Sequence, residues 1–403
     1  IRNWAGNIEF DAAAFHEPDS VGRVRQIVRA ARKVRALGSG HSFNRIAATD
    51  ADHVSLSKLN RLVRIDGDAG TATAEGGITY SQLSPSLHAE GFALRNLASL
   101  PHISVVGAVS TATHGSGDRN GNLATAVAGL EIVTADGEIV ALKRGDEGFE
   151  GAVVGLGALG IVTSVTLDIM PTFDVRQDVY VDLPFGALTE AFDEMTSSAY
   201  SVSFFTAWRG DTVDQVWLKS LANAPFRFGE NFHGALLADQ KRHPIGTMDP
   251  TSSTDQLGAI GGWHERLPHF RIDQRPSAGE ELQSEYFVAR ADAVDALRAL
   301  HRVQDQFSRL LMISEIRTIA ADNLWLSTAC GQDSVAFHFT FERDWPGVRE
   351  VLPVIEAALA PFAPRPHWGK LFTMPAAEVQ SRYDRLDDFR ELVARYDPGG
   401  KFR

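Results

Sequence analysis

The stretch Arg35-Ala36-Leu37-Gly38-Ser39-Gly40-His41-Ser42-Phe43-Asn44 joins a short apolar run to a glycine-rich turn. Residues 34–37 predict a strand, and the Gly-x-Gly behind it lets backbone N–H groups approach a diphosphate, because glycine has no side chain. The full dinucleotide fingerprint also needs a third glycine and a helix at that point, and both are missing here. Taken alone, the motif therefore fits a tight turn as well as a nucleotide loop.

A second loop of small residues is Gly107-Ala108-Val109-Ser110-Thr111-Ala112-Thr113-His114-Gly115-Ser116-Gly117. Residues 98–117 have no clear helix or strand period, and residues 107–117 are predicted to form a loop. Small side chains and hydroxyls over this length suit the wrapping of a dinucleotide tail. Two such loops on a strand-rich scaffold favour a bound nucleotide cofactor, with two plain surface loops as the alternative.

Helices and short strands alternate around these loops. Ser20 is predicted to cap a helix over 21–31, where apolar residues recur at helical spacing. Ala135-Asp136-Gly137 predicts a hairpin turn between two strands. The other elements predicted in this part are strands at 53–57, 62–65, 71–74 and 161–169, and helices at 80–90 and near Glu150.

The composition of the chain changes near Phe173, where aromatic residues become frequent. A length of 403 residues suits two or three domains, and a second, α+β domain is predicted from this point. A proline-rich linker at 363–367 marks its end. The elements predicted here are strands at 213–218, 282–289 and 334–341, helices at 291–307 and 348–360, and a final helix near 386–396.

The composition excludes several classes of protein. There are 39 basic and 51 acidic side chains, and the formal charge of −12 argues against a nucleic-acid or anionic-membrane binder. The single cysteine, Cys330, forbids an intrachain disulfide and suits a reducing compartment. The longest apolar run, 151–165, is too short for a bilayer, and the start lacks a signal peptide, so a cytoplasmic protein is predicted. His264 and His269 lack the spacing of a metal site, and none is predicted.

Two predicted strands carry polar side chains among apolar neighbours. Glu315-x-Arg317 follows Leu310-Leu311-Met312-Ile313, and His338-x-Thr340 lies within 335–341. Residues two apart on a strand share one face, and buried charges need a reason. The alternatives are a surface salt bridge for the first pair and a satisfied core histidine for the second.

Two further sites are ambiguous on pattern alone. Lys370, after His367-Trp368-Gly369, would ordinarily be a surface lysine. Gln283, Glu285 and Tyr286 lie on one predicted strand. The sequence does not determine which face of that strand, and so which of these side chains, points toward the site.

The first loop, with residues 35–44, resembles the first FAD loop of vanillyl-alcohol-oxidase-type flavoproteins. Residues 105–117 resemble their second loop, and Gly157-Ala158-Leu159-Gly160-Ile161-Val162-Thr163 their third. Within that superfamily the chain is most similar to bacterial alditol (xylitol) oxidases and more loosely to aldonolactone oxidoreductases. The likeness covers nearly the whole chain, through Asn3-Trp4-Ala5-Gly6, Leu97-Ala98-Ser99-Leu100-Pro101-His102, Glu315-Ile316-Arg317-Thr318, His338-Phe339-Thr340, His367-Trp368-Gly369-Lys370 and Asp397-Pro398-Gly399-Gly400-Lys401-Phe402.

The resemblance implies an α+β fold, with a two-lobed FAD-binding domain (1–172, joined again by 366–403) and an inserted cap or substrate domain (173–365). It implies FAD held covalently through His41. The residues expected to bind the cofactor are Ala36, Leu37, Gly38, Ser39, Gly40, His41, Ser42, Ser99, Ser104, Gly107, Ala108, Val109, Ser110, Thr111, His114, Gly115 and Val162.

The resemblance also implies the substrate site. Arg317 and Lys370 are expected to bind and polarise the terminal hydroxyls of a polyol, with Glu315 accepting a hydrogen bond. Thr340 and Ser99 are expected to line the site, with Ser99 close to the flavin, and Ala98 is the candidate for control of oxygen access. His338 is the candidate proton acceptor.

The expected activity is oxidation of the terminal primary alcohol of a polyol such as xylitol or sorbitol to the aldose, with O₂ reduced to H₂O₂. The expected enzyme is a monomer whose partners are the polyol and O₂. Alternatives are an aldonolactone oxidase or dehydrogenase on the same fold and a non-catalytic flavin- or sugar-binding protein. An NAD-dependent dehydrogenase is disfavoured by the incomplete fingerprint.

Overall fold

The computed structural model describes residues 1–274 and 281–403. Its helices are α1 (Val21–Ala30), α2 (Tyr80–Ala89), α3 (Val105–Ser110), α4 (Phe149–Val153), α5 (Phe185–Glu190), α6 (Phe192–Thr196), α7 (Trp263–Arg266), α8 (Ala293–Phe307), α9 (Trp345–Leu359), α10 (Ala376–Gln380) and α11 (Leu386–Tyr396).

The strands of the described residues are β1 (Ala14–His16), β2 (Val34–Ala36), β3 (Asp52–Val54), β4 (Leu62–Asp66), β5 (Thr71–Glu75), β6 (Phe92–Ala93), β7 (Val127–Val133), β8 (Ile139–Lys143), β9 (Ile161–Asp168), β10 (Met170–Pro171), β11 (Asp174–Pro184), β12 (Ser201–Thr206), β13 (Thr212–Leu221), β14 (Asn231–Phe232), β15 (Ala235–Leu237), β16 (Ala259–Gly262), β17 (Glu281–Ala289), β18 (Leu311–Ile319), β19 (Ser334–Glu342) and β20 (Arg365–Pro366).

Two small sheets and one strand pair come from the first part of the chain. The parallel sheet β1-β3-β2 leads into the first glycine loop, and the antiparallel sheet β4-β5-β9-β7-β8 stands behind the second. Strands β6 and β10 form a separate antiparallel pair. Ser20 caps α1 by accepting a hydrogen bond from the Arg23 backbone N–H at 3.3 Å. The small sheets therefore present both loops to the same side.

A ten-stranded sheet takes its strands from Asp174 to Pro366. Its order is β14-β15-β11-β13-β12-β18-β19-β17-β20, and β16 also pairs with β11. Helices α8 and α9 cover one face, where Phe339 of β19 packs on Phe307 of α8 and Tyr286 of β17 donates to Glu356 of α9 at 2.7 Å. Because strand residues alternate between faces, the residues between these point the other way, toward the glycine loops.

Most predicted elements of the first part are confirmed, among them the helix capped by Ser20 and the hairpin at 135–137. The prediction of a loop over 107–117 is wrong for its first four residues, because α3 extends through Ser110. Strands β11 and β12 were not predicted, since their mixed polar and aromatic sequence hides the alternation. The mixed helix-and-sheet fold class is confirmed. The domain division at 172/173 and 365/366 stays a prediction.

Gly77, two residues after the end of β5, offers a test of how tightly the cavity wall is packed. A Cβ there would lie 1.8 Å from the carbonyl oxygen of Leu56, so backbone would have to move. We expect Gly77→Ala to lower the free energy of unfolding by about 2–3 kcal/mol, as overpacked sites do, and to weaken cofactor retention. Thermal unfolding and the absorbance of the purified protein measure the two effects.

The matched control is Gly22→Ala in α1, where an added Cβ meets nothing within 4 Å. It should leave stability unchanged or raise it by up to about 1 kcal/mol. Equal stability of the two variants would contradict the close packing at Gly77.

Candidate active site

A cavity of about 440 Å³ lies between the glycine loops and the open face of the ten-stranded sheet. The first loop contributes residues 35–43, and the second contributes Ser104, Gly107, Ala108, Ser110, Thr111 and His114. Ala98, Ser99 and Val162 also line it. Val109 and Gly115 do not: Val109 is buried in the core, and a Cβ at Gly115 would lie 2.2 Å from the Asn96 side chain. These two therefore shape the loop without lining the cavity.

The two loops touch through Ser104. Its Oγ would lie 2.5 Å from a Cβ at Gly38 and 2.5 Å from one at Gly107, so both glycines are needed for the approach. The Ser104 N–H donates to Ser39 Oγ at 3.2 Å. Among the described residues, the backbone N–H groups of Gly40, His41 and Ser42 have no acceptor. Free backbone donors in a glycine cradle are the groups that hold a diphosphate, so this wall fits a dinucleotide.

His41 ends the first loop and lies against Trp4, with ring centroids 4.5 Å apart and nearly stacked. Its Nε2 is buried and has no hydrogen-bond partner among the described residues. Burial, with the charges of His102 and Lys370, lowers the pKa of His41 to about 3. The ring is therefore neutral at pH 7 and presents an unsatisfied nitrogen.

The opposite wall is formed by neighbouring strands in register. Glu315 of β18 lies opposite His338 of β19, and His338 lies opposite Glu285 of β17. Thr340 pairs in the same way with Gln283. All five side chains line the cavity, so the uncertain face of β17 is settled: Gln283 and Glu285 face the site and Tyr286 faces α9.

Glu285 is the centre of one charge cluster. Its Oε2 lies 3.0 Å from Lys370 Nζ, and its Oε1 lies 3.0 Å from His114 Nε2 and 3.8 Å from Arg317. The carboxylate is 1% exposed. Burial alone would raise the pKa of Glu285, but Lys370 and His114 outweigh it and hold that pKa well below its usual range. Burial lowers the pKa of Lys370, and Glu285 opposes that shift.

Glu315 is the centre of the other cluster. Its Oε1 lies 2.6 Å from His269 Nε2 and 3.3 Å from Arg317 Nε. Arg317 donates from Nη1 to Ser99 Oγ at 3.1 Å, which ties the strand wall to the loop wall. Burial raises the pKa of Glu315, yet Arg317 and His269 lower it below its ordinary value. Both carboxylates of the site are therefore ionised at neutral pH.

His338 lies between the two carboxylates. Its Nε2 is 3.0 Å from Gln283 Oε1, and the Gln283 amide nitrogen donates to Glu281 at 2.6 Å. Because the Gln283 amide donates to the carboxylate, its oxygen is turned to accept from His338, so Nε2 carries the proton. Burial, then Lys370, lowers the pKa of His338 well below its ordinary value. Nδ1 has no partner among the described residues and keeps a free lone pair.

The structure thus brings together Ser99, Glu315, Arg317, His338, Thr340 and Lys370 from distant parts of the chain. It adds Glu285 and His269, which sequence reasoning left unassigned. For Glu285 the signal was its place two residues from Gln283 in an apolar strand. His269 had no local signal, because it follows α7 in a loop.

No group of three or more metal-ligating side chains suited to an ion is found within residues 1–274 and 281–403. In the same ranges, no helix combines the length and the hydropathy needed to cross a membrane.

Comparison with known proteins agrees with this geometry. A family model described as FAD binding domain matches residues 12–143, and one described as D-arabinono-1,4-lactone oxidase matches residues 280–403. The chain is 45% identical over 405 residues to an alditol oxidase of Streptomyces sp., covering 100% of this chain and 96% of that protein. It is 30% identical over 421 residues to L-gulono-1,4-lactone dehydrogenase of Mycobacterium tuberculosis, covering 99% and 96%.

Among solved structures, cholesterol oxidase from B. sterolicum superimposes with a TM-score of 0.78 at 15% identity, covering 100% of this chain and 94% of that one. The two family models and the 45% identical relative show an FAD-dependent oxidoreductase of the vanillyl-alcohol-oxidase type. Within that class, the chain belongs to the alditol oxidase family.

Glu285 gives a stability test of the site. Glu285→Ala leaves Lys370 buried without its carboxylate, and breaking a buried ion pair costs about 3–5 kcal/mol. We expect a loss of that size in the free energy of unfolding, measured by urea titration at pH 7. Glu342→Ala, at the exposed end of neighbouring β19, is the control and should change stability by less than about 0.5 kcal/mol. Equal losses for the two variants would contradict the pairing.

Proposed function

We propose that this protein oxidises the terminal primary alcohol of a polyol such as xylitol or sorbitol to the aldose, with O₂ reduced to H₂O₂. The observation that carries the proposal is the convergence of ionised and neutral polar side chains on one wall of the cavity. Each hydroxyl of a buried polyol needs a hydrogen-bond partner, because an unpaired polar group costs about 1–3 kcal/mol. The wall supplies donors from Arg317 and Lys370 and acceptors from Glu315 and Glu285.

The chemistry that bound FAD supplies is acceptance of a hydride at N5 and reoxidation by O₂. The side chains proposed to hold it are the cofactor residues named in the sequence analysis, apart from Val109 and Gly115, which lie off the cavity. The neutral ring of His41, with its unpartnered nitrogen, supports covalent attachment there.

Arg317 and Lys370 act on the reacting hydroxyl in this proposal. Both cations lie beside carboxylates, and both point into a cavity where charge interactions are strong. They would bind the terminal hydroxyl and stabilise the negative charge that develops as its proton leaves. Glu315 would accept a hydrogen bond from a neighbouring hydroxyl and orient the chain.

His338 is the proposed proton acceptor. Its Nδ1 has a free lone pair, and the ring is neutral and so able to accept a proton. Glu285 and Glu315 on the adjacent strands would favour a proton on His338, whereas burial and Lys370 oppose it.

Oxidation of an aldonolactone is the second candidate. It is favoured by the match of residues 280–403 to a lactone oxidase model and by the 30% identical lactone dehydrogenase. A lactone presents fewer free hydroxyls than a linear polyol, so it would leave more of the wall unpaired.

A substrate panel decides between the two. We expect oxygen uptake and peroxide formation with xylitol and sorbitol, and about 100-fold or more loss of kcat/KM in Arg317→Ala and Lys370→Ala, because each removes a donor to developing charge. Lys143→Ala, on the exposed strand β8, is the control and should retain full turnover. Lactone turnover without polyol turnover would overturn the proposal, and full activity of both site variants would overturn the site assignment.

Covalent attachment has its own test. A denaturing gel of the purified protein, acidified and viewed under ultraviolet light, should show a fluorescent band, and His41→Ala should not. His16→Ala, a partly exposed histidine of β1, is the control and should stay fluorescent. A dark band from yellow wild-type protein would mean dissociable flavin and would favour the lactone dehydrogenases.

A further inference from the structure

Beside Glu315, on the same face of the ten-stranded sheet but outside the cavity lining, lies a buried lysine. Lys219 of β13 is 1% exposed, and its ammonium group has three acceptors within reach. Nζ lies 2.5 Å from the Leu267 carbonyl, 3.0 Å from the Pro268 carbonyl and 3.0 Å from His269 Nδ1. An ammonium has three N–H donors, so the three acceptors use all of them.

His269 connects this lysine to the site. Its Nδ1 accepts from Lys219, and its Nε2 lies 2.6 Å from Glu315 Oε1. A neutral imidazole that accepts at one nitrogen donates at the other, so Nε2–H points at the carboxylate. Phe205 and Trp217 meet the ring edge-on, at centroid distances of 5.4 and 5.1 Å, and hold its plane.

The charge of the pair resides on the lysine. Burial, followed by Lys219, lowers the pKa of His269 to about 4, so the imidazole is neutral at pH 7. Burial lowers the pKa of Lys219 well below its ordinary value, but the three acceptors around Nζ match the three N–H donors of an ammonium, so the geometry fits the charged form. The three hydrogen-bonded groups are thus a cation at Lys219, a neutral ring at His269 and a carboxylate at Glu315.

We propose that Lys219 and His269 are positioning residues, which fix the direction and the ionised state of Glu315 for a substrate hydroxyl. This inference rests on the proposed function for its substrate. Lys219 touches neither the cavity nor the reacting atoms, and it acts by deciding which nitrogen of His269 bears the proton.

The geometry separates this role from simple support of two carbonyls. A lysine is costly to bury, and amide or hydroxyl donors could satisfy carbonyls without the charge. The third N–H of Lys219 donates to His269 Nδ1, and the other ring nitrogen of His269 makes the shortest ion-pair contact to Glu315. The titratable or charged groups around Glu315 are Arg317 on its own strand, His338 on β19, His269 and Lys370. Lys219 acts on Glu315 through its hydrogen bond to His269.

The pH profile of kcat/KM with xylitol tests the inference in the FAD-loaded enzyme. Glu315 accepts a hydrogen bond most strongly when it is ionised, and the cations and donors around it lower its pKa. Lys219→Met keeps the volume but removes charge and donors, so the pKa of Glu315 should rise and the acidic limb of the profile should move to higher pH. At metal sites, loss of a partner that orients a ligand costs about 10–100-fold, and we expect an effect of similar size here. The fall in kcat/KM should arise mainly through KM and should grow as the pH is lowered.

Two variants of His269 sharpen the test. His269→Gln keeps an N–H donor for Glu315, whereas His269→Phe keeps the ring shape and removes the donor. The acidic limb should stay near its native position in the first and shift in the second. Lys143→Met is the matched control for the lysine change. An unshifted profile in both Lys219→Met and His269→Phe, with native thermal unfolding, would overturn the proposal.

Long-range ¹H–¹⁵N spectra of histidine-labelled enzyme give a readout that needs no turnover. The signal missing in His269→Gln identifies the residue, and we expect it to have a protonated Nε2 and a bare Nδ1. In Lys219→Met the bare Nδ1 no longer faces the lysine's charge, so it should gain a proton at a higher pH than in the wild-type enzyme. A protonated Nδ1 in the wild-type enzyme would overturn the positioning role of Lys219 and His269 even if polyols are oxidised. If the expected tautomer is found but polyols are not oxidised, the positioning role of Lys219 and His269 stands and the proposed function is overturned.

Discussion

Toward one edge of the ten-stranded sheet, Glu315, His338 and Glu285 lie opposite one another on the neighbouring strands β18, β19 and β17. This register is the constraint on which the site depends. A slip of one residue in any of these strands would turn its polar set toward α8 and α9 and bring residues such as Ile316, Phe337 or Tyr286 into the cavity. The packing of Phe339 on Phe307 holds the register from the other side. The apolar face therefore stabilises an arrangement that the polar face could not hold alone.

The polar face is costly by itself. Two buried carboxylates and their cations must lose hydration, and pairing only offsets that loss. Each carboxylate has more than one partner, which offsets the loss of hydration. Lys370 and His114 contact Glu285. Arg317 and His269 contact Glu315. Because Arg317 also reaches Ser99, the cluster spans both walls. A substrate thus enters a site whose dipoles and charges are already oriented.

Local patterns accounted for part of this architecture. The cap at Ser20, the hairpin at 135–137 and the pairs Glu315-x-Arg317 and His338-x-Thr340 depend on residues close in sequence. Helix α3 escaped prediction because its residues are small and also suit a loop. Lys219 and His269 escaped because their contacts join β13, the loop after α7 and β18, which only the folded sheet brings together. Sequence spacing contains no signal for such a contact.

The histidines around the cavity illustrate how one side chain can perform opposite tasks. Burial lowers the pKa of His41, His269 and His338 alike, so each ring is neutral and has one donor and one acceptor nitrogen. What differs is the neighbour. Lys219 donates to His269 and turns its N–H toward Glu315, whereas Gln283 accepts from His338 and leaves a lone pair free. The direction of one hydrogen bond behind each ring therefore decides whether the ring orients a carboxylate or can receive a proton.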